Sequence, residues 1–339
     1  MKSIYGETLL SLENYFILNN DKKFRATQVY EWLYNQRVSS FNEMTNLKKE
    51  VIALLSRDFY FEKLSARKIE REKEVNKYLF ELIDKEQIEA VLMRHDYGNS
   101  LCISTQVGCN MGCTFCESGR LKKVRNLTSS EMVSQILAVE LDIKERVSHV
   151  VLMGIGEPFD NYQEVINFIE IINHNKGIAL GSRHITVSTC GIIPKIIEFT
   201  KLPYQVNLAI SLHAPNDSLR TELMPINKVY PLKDLMPVLK NYIDNTSRRL
   251  TFEYILLEGI NDQEEHALAL VKLLRGLNCY VNLIPYNETN HLKWKRSNKE
   301  TILSFYDILK KNKIGVTIRR EFGSNISAAC GQLRSKKEE

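Results

Sequence analysis

The sequence predicts an α/β protein whose main body is a partial, open (β/α)6 barrel. Ahead of it stand a small helical region and a short antiparallel β region. Three observations carry this. From residue 101 onward, short apolar runs alternate with amphipathic stretches over six units, the pattern of a mostly parallel sheet with right-handed helical crossovers. Six units fall short of the eight that close a barrel. Before residue 95 the pattern differs, with helical periodicity first and short paired apolar runs after it.

Each element has its own justification. Up to about residue 56, apolar residues recur at helical spacing in Leu9, Leu12, Tyr15 and Phe16, and again in Val29, Trp32 and Leu33. Residues 78–83 and 88–93 are apolar runs around the turn-like stretch 84–87, which reads as a hairpin or small antiparallel sheet. A polar turn is expected at 95–100. Barrel strands are expected at 101–106, 149–153, 184–188, 206–212, 250–256 and 280–285, with a seventh candidate at 315–320. Helices are expected at 129–144, 162–174, 193–200, 232–245 and 263–274. The first of these opens on Thr128-Ser129-Ser130-Glu131, a capping-box pattern, and continues with a stripe of Met132, Val133, Ile136 and Leu137. The polar stretch 290–298 reads as a surface loop. The chain thus divides into a helical accessory region (1–60), a β extension (61–94) and the barrel (95–335).

Bulk properties narrow the class of protein. Hydrophobic residues make up 44% and charged residues 26% of the 339, the balance of a soluble globular protein. No signal pattern opens the chain and no apolar run reaches membrane-spanning length, so the expectation is cytoplasmic, with no membrane partner. Seven cysteines is an odd number, which argues against a disulfide framework. A net charge of +5 is compatible with a nucleic-acid partner without requiring one. In the helical region, Arg25, Arg37, Lys48 and Lys49 read either as a solvated basic face or as an RNA-contacting one.

The chemistry centres on Cys109, Cys113 and Cys116, which fall within eight residues directly after the first barrel strand. Loops after strand C-termini build the sites of parallel α/β folds. Iron–sulfur clusters take four thiolates and zinc sites four ligands, so three cysteines leave one position open. A zinc knuckle would need a second Cys-x-x-Cys or a spaced histidine pair, and neither lies nearby. The second strand ends in Gly154-Ile155-Gly156-Glu157-Pro158. Phe159 stands where a dinucleotide fingerprint needs its third glycine, which argues against Rossmann-type binding.

Cys-x3-Cys-x2-Cys, with Phe115 between the last two cysteines, resembles the signature of the radical S-adenosylmethionine (SAM) superfamily. That resemblance implies a [4Fe–4S] cluster on Cys109, Cys113 and Cys116 whose fourth iron binds SAM. Gly156-Glu157 looks like the superfamily's Gly-Glu motif, which contacts the amino group of the cofactor. The C-terminal run Ile326-Ser327-Ala328-Ala329-Cys330-Gly331-Gln332-Leu333 narrows the likeness to the RlmN/Cfr family of dual-specificity RNA methyltransferases. Carried over residue by residue, the family pattern makes Cys330 the S-methylcysteine intermediate, Cys102 the resolving thiol of a transient disulfide, and Glu89 the proton acceptor. It also places Ser188, Ser211, Leu212, His213 and Asn287 at SAM, with two SAM consumed per turnover. A lone cysteine in a strand is otherwise a small core residue, and Cys190 and Cys279 are read that way.

The residues suit the task that the resemblance implies. Carbons 2 and 8 of adenine are too weakly nucleophilic to attack a sulfonium, so a radical route is needed. A carboxylate can then take the ring proton, and a thiol can release the product by exchange at sulfur. The family's substrate is an adenosine in the peptidyl-transferase centre of 23S rRNA, with a tRNA adenosine next to the anticodon as a second candidate. A flavodoxin or ferredoxin electron donor and a monomeric state are further expectations. Residues 106–109, 214–217 and 224–228 read closer to the carbon-2 (RlmN) type than to the carbon-8 (Cfr) type, which gives antibiotic resistance. A non-catalytic RNA-binding or ribosome-assembly protein with a structural cluster is the alternative from another class, and the retention of Glu89, Cys102 and Cys330 argues against it. Basic residues in 121–126 and at Arg319-Arg320 are candidates for RNA phosphate contacts. Glu117 and Cys190 depart from the family pattern, which has a small residue and a serine there.

Overall fold

The computed structural model describes residues 1–320 and Leu333; the expectations placed on Cys330 and on the rest of the C-terminal segment lie outside the described residues. Its frame is one ten-stranded sheet in which every strand neighbours its predecessor in the chain. The strands are β1 (Ser65–Arg71), β2 (Val75–Glu81), β3 (Gln87–His95), β4 (Gly98–Cys102), β5 (His149–Leu152), β6 (Ile185–Thr189), β7 (Asn207–Ser211), β8 (Leu250–Leu256), β9 (Cys279–Pro285) and β10 (Gly315–Ile318). From β1 to β4 the pairing is antiparallel; from β4 to β10 it is parallel. The β extension is therefore continuous with the barrel sheet, and β4 belongs to both.

Six helices make the crossovers: α4 (Ser129–Ile143), α5 (Tyr162–Asn173), α6 (Ile193–Thr200), α8 (Leu232–Thr246), α9 (Glu264–Leu274) and α10 (Lys299–Lys311), with the short α7 (Asp217–Leu223) inserted after β7. The barrel is open, as expected, and β10 is its edge. The capping box at Thr128 is present, with both reciprocal hydrogen bonds. Three expectations are corrected. The first parallel strand is Gly98–Cys102, not 101–106: Asn99 and Ser100 are buried ladder residues and not turn residues, and the pairing with both neighbouring strands stops at Cys102. The turn itself is only Asp96 and Tyr97, ahead of Gly98 at φ +124°. The loop 290–298 is not wholly exposed, since Trp294 is buried and its Nε1 donates to the Thr114 carbonyl at 2.7 Å.

The N-terminal helices α1 (Leu9–Leu18), α2 (Phe24–Glu31) and α3 (Lys49–Asp58) share one apolar core with the barrel helices, from Ile4 and Phe16 through Met132 to Phe305. Ser130 Oγ and Ser3 Oγ hydrogen-bond across that junction, and Arg37 pairs with Glu140 of α4. Arg37 is therefore a joint, not part of a solvated basic face; Lys48 and Lys49 are exposed. Among the described residues, no helix is long and apolar enough to cross a membrane.

Candidate active site

The cysteine loop leaves the sheet after β4 and folds back on itself. Cys109 N–H donates to the Leu121 carbonyl, Cys116 N–H to Cys113 and Gly119 N–H to Cys116. A Cβ on Gly119 would lie 2.6 Å from the Cys113 carbonyl oxygen, so only glycine permits this tight return. Outside anchors hold the loop in place. Thr114 N–H bonds the Leu223 carbonyl at the end of α7, Trp294 bonds Thr114, and Ser118 Oγ donates to the Leu333 carbonyl at 2.9 Å. Phe115 packs edge-on against His213 at 4.8 Å.

The three cysteines form one wall of a cleft of about 150 Å³ at the C-terminal mouth of the barrel. Burial pushes the Cys109 thiol up to about 12 and raises the Cys113 thiol as well, so binding as thiolates must displace their protons. Among the described residues, no three His, Cys, Asp or Glu side chains converge on a single-ion site. A cluster does not ask for that, because each thiolate binds a different iron. The donor set fits a cluster better than a mononuclear metal.

The opposite walls come from successive strand ends: Gly156 and Glu157 after β5, Ser188 and Cys190 at β6, Ser211 and His213 at β7, Glu253 and Ile255 on β8, Ile284 on β9, and Arg319 after β10. Glu157 is buried, and its pKa is raised by burial. Its two oxygens accept from the backbone N–H groups of Phe159 (3.1 Å) and Cys190 (2.9 Å). Gly156 has φ +108°, and a Cβ there would meet Gln106 at 2.6 Å. The glycine thus serves close packing of one strand end against another. His213 also has left-handed backbone (φ 58°) and accepts the Ile255 N–H on Nδ1 at 3.1 Å, which puts the proton of the neutral ring on Nε2. Burial lowers its pKa to about 3, so it stays neutral.

Not every expected cofactor contact faces the cleft. The side chain of Leu212 is fully buried in the main core and its carbonyl accepts from Arg220. Asn287 follows β9 by two residues, half-buried, and is not among the cleft-lining residues. Cys190, read from sequence as core, lines the cleft; its Sγ lies 3.4 Å from the Met111 sulfur. Glu117 is buried, and its charge is met by His291 at 3.3 Å and Arg120 at 3.5 Å. Glu253 and Arg220 were missed in the sequence. A lone carboxylate in the apolar strand β8 was a usable signal for the first; nothing marked the second.

Glu89 and Cys102 meet on the antiparallel side. Cys102 is the register partner of Val91, so it sits diagonal to Glu89 on the same face, the spacing at which cross-strand side chains interact. Both are buried. Lys77 on β2, opposite Val91, completes the patch with an ion pair to Glu89 at 2.9 Å. Around them, Val75, Val91, Met93, Cys102, Ile155 and Leu333 form one apolar cluster. Cys330 lies outside the described residues; Leu333, three positions later, is the part of the C-terminal segment seen on this face. Among the basic candidates for RNA, Lys123 pairs with Asp160 and Arg125 with Asp84 and Glu131; Lys122 is exposed.

Comparison with known proteins agrees with this geometry. The model of the Radical SAM superfamily matches residues 103–271, and that of the ribosomal RNA large subunit methyltransferase N-terminal domain matches residues 3–60. The chain is 55% identical to a probable dual-specificity RNA methyltransferase RlmN of Enterococcus faecalis, covering 99% of this chain and 96% of that one. With the protein of the same description from Thermoanaerobacter sp. it shares 49% identity, over 99% and 98% of the two chains. A crystal structure of a radical SAM methyltransferase from Sphaerobacter thermophilus superposes with a TM-score of 0.93 at 40% identity, over 98% of this chain and 99% of the other. The chain belongs to the RlmN family of dual-specificity RNA methyltransferases, within the radical SAM superfamily.

Proposed function

We propose that this chain methylates carbon 2 of an adenosine in the peptidyl-transferase centre of 23S rRNA, through a methyl group carried on Cys330. The observation that carries the reading is the shared face of Glu89 and Cys102, roofed by Leu333 and next to the cysteine-walled cleft. Cys109, Cys113 and Cys116 would hold a [4Fe–4S] cluster, and the strand ends carrying Gly156, Glu157, Ser188, Ser211 and His213 would hold SAM. When bound, that pair supplies one-electron chemistry able to remove a hydrogen atom from the methyl group on sulfur.

The chain's own groups do the rest. Once the methylene carbon is joined to the ring, Glu89 takes the ring proton as general base. The Lys77 ammonium, 2.9 Å from that carboxylate, holds it in place. The Cys102 thiolate then attacks the Cys330 sulfur; the bond between that sulfur and the RNA-linked carbon breaks, and the carbon keeps the bonding pair and takes up a proton to become the methyl group. The disulfide left behind is transient and is reduced back to two thiols in a reducing cytosol, while an electron donor such as flavodoxin or ferredoxin would serve the cluster. A tRNA adenosine next to the anticodon is a second substrate in this reading, and the enzyme acts as a cytoplasmic monomer.

One assay tests the assignment. Anaerobically reconstituted protein, given SAM, reductant and protein-free 23S rRNA, is expected to yield 2-methyladenosine by mass spectrometry of the nucleosides. Finding 8-methyladenosine instead would move the chain to the carbon-8 type, and no methylation at all would refute the reading. A second expectation concerns Lys77. Breaking a buried ion pair strands a charge and costs about 3 kcal/mol, so Lys77→Met should lower the urea midpoint. Lys77→Met combined with Glu89→Gln should recover part of that loss; a double variant no better than the single one would mean the pair is not coupled.

A further inference from the structure

Glu253 is the register partner of Ser211 on β7 and of Asn282 on β9. Register partners in a parallel sheet project from the same face, so three polar side chains form a row across the inside of the barrel. A carboxylate in such a place is costly unless donors meet it. Among the described residues, only one of its oxygens has a protein donor. Oε1 accepts from Asn282 Nδ2 at 3.0 Å, whereas Oε2 is sealed from solvent and has no hydrogen-bond partner among those residues. The side chain is 4% exposed and borders the cleft, with Arg319 on the same cleft acting on it electrostatically. Natural proteins seldom leave such an atom unmet, and its position asks for a ligand that brings a donor.

We propose that Glu253 is a cofactor-binding residue whose Oε2 accepts a hydrogen bond from a ribose hydroxyl of SAM. This rests on the family-level reading that SAM fills the cleft. The cofactor carries N–H or O–H donors at three places: the amino group, the ribose hydroxyls and the adenine N6 amine. The amino end belongs with the cysteines and Glu157, beyond β5. Glu253 lies three strands further along the sheet, beside Ser211, and before the apolar pair Ile255 and Ile284, whose faces suit a flat base. The hydroxyls are the part of the ligand that falls between those two ends. Burial raises the Glu253 pKa, and a hydroxyl can satisfy either protonation state, since it both donates and accepts.

Equilibrium binding tests this without turnover. Cluster-reconstituted wild type, Glu253→Ala and Glu253→Gln are titrated calorimetrically with S-adenosylhomocysteine, with SAM, and with S-adenosylhomocysteine analogues lacking the 2′-hydroxyl, the 3′-hydroxyl or the N6 amine. Glu253→Ala is expected to weaken both parent ligands about tenfold. Against one deoxy analogue, which wild type itself binds about tenfold more weakly, the variant should lose nothing further. The N6-lacking analogue should show the full loss, and Glu253→Gln, which keeps shape and an acceptor, should recover part of the affinity. If Glu253→Ala does not fold, the same pattern is read from Glu253→Gln with a smaller loss. Unchanged affinity, a loss uniform across all analogues, or coupling confined to the N6 amine would overturn the proposal alone. A wild type that binds no SAM would overturn the family-level reading, and the proposal with it.

Discussion

Cys102→Ala protein, incubated with SAM, reductant and RNA, is expected to remain covalently joined to its substrate. Cys102 closes β4 inside a small apolar cluster, where alanine is tolerated: only one sulfur is removed, and the loss to the fold is about 1 kcal/mol. The fold and the cysteine-walled cleft are then intact, so bond formation between the methylene on Cys330 and the adenine ring should proceed. Glu89 is untouched and its ion pair with Lys77 is unaltered. What is missing is the thiol proposed to attack the Cys330 sulfur, and among the described residues no other cysteine lies on that face: Cys190 lines the cleft, and Cys279 starts β9. A denaturing gel should show a slow band sensitive to both RNase and protease, approaching one RNA per protein. Free methylated RNA formed at the wild-type rate would remove Cys102 from the resolving role.

The barrel was legible because its residues leave little choice. Helices α4, α5, α6, α8 and α9 each carry a stripe that only a sheet can bury, and their observed ends differ from the expected ones by one residue at most. Strand β8 matches its expected span residue for residue. The misses have physical causes. Asn99 and Ser100 have turn composition, yet the hairpin to β3 buries them, with Asn99 Nδ2 donating to Glu145. Helix α10 was passed over because it follows a polar stretch and its outer face is charged. In the site, motif spacing found the cysteine loop and Glu157, but spacing cannot tell which side of a strand end a residue takes. Leu212 turns to the core while its neighbours Ser211 and His213 turn to the cleft. Long-range register decides such cases. It is register that sets Cys102 beside Val91 and Glu253 beside Ser211.

Arg220 is the residue whose loss is expected to harm the fold most. It is 0% exposed, on the short helix α7, a place where sequence alone would put a solvated charge. Its guanidinium spends its donors on five acceptors: the carbonyls of Cys190 (2.6 Å), Ser211 (3.2 Å), Leu212 (3.2 Å) and Tyr230 (3.5 Å), and Asn227 Oδ1 (2.8 Å). Those oxygens belong to the ends of β6 and β7 and to the loop before α8, so one planar fork ties together two walls of the cleft. Burial lowers its pKa, while the neighbouring thiols Cys190 and Cys113 act in the opposite direction. Removing the cation strands several buried carbonyls at about 1 kcal/mol or more each. Arg220→Met is therefore expected to cost on the order of 5 kcal/mol, a large part of the net stability of a typical domain. Lysine brings three donors from one point and cannot reproduce the fork, so Arg220→Lys should recover less than half. The urea midpoint of the apoprotein reads both variants. Midpoints close to wild type would show that the carbonyls find other donors, and that the strand ends do not depend on Arg220.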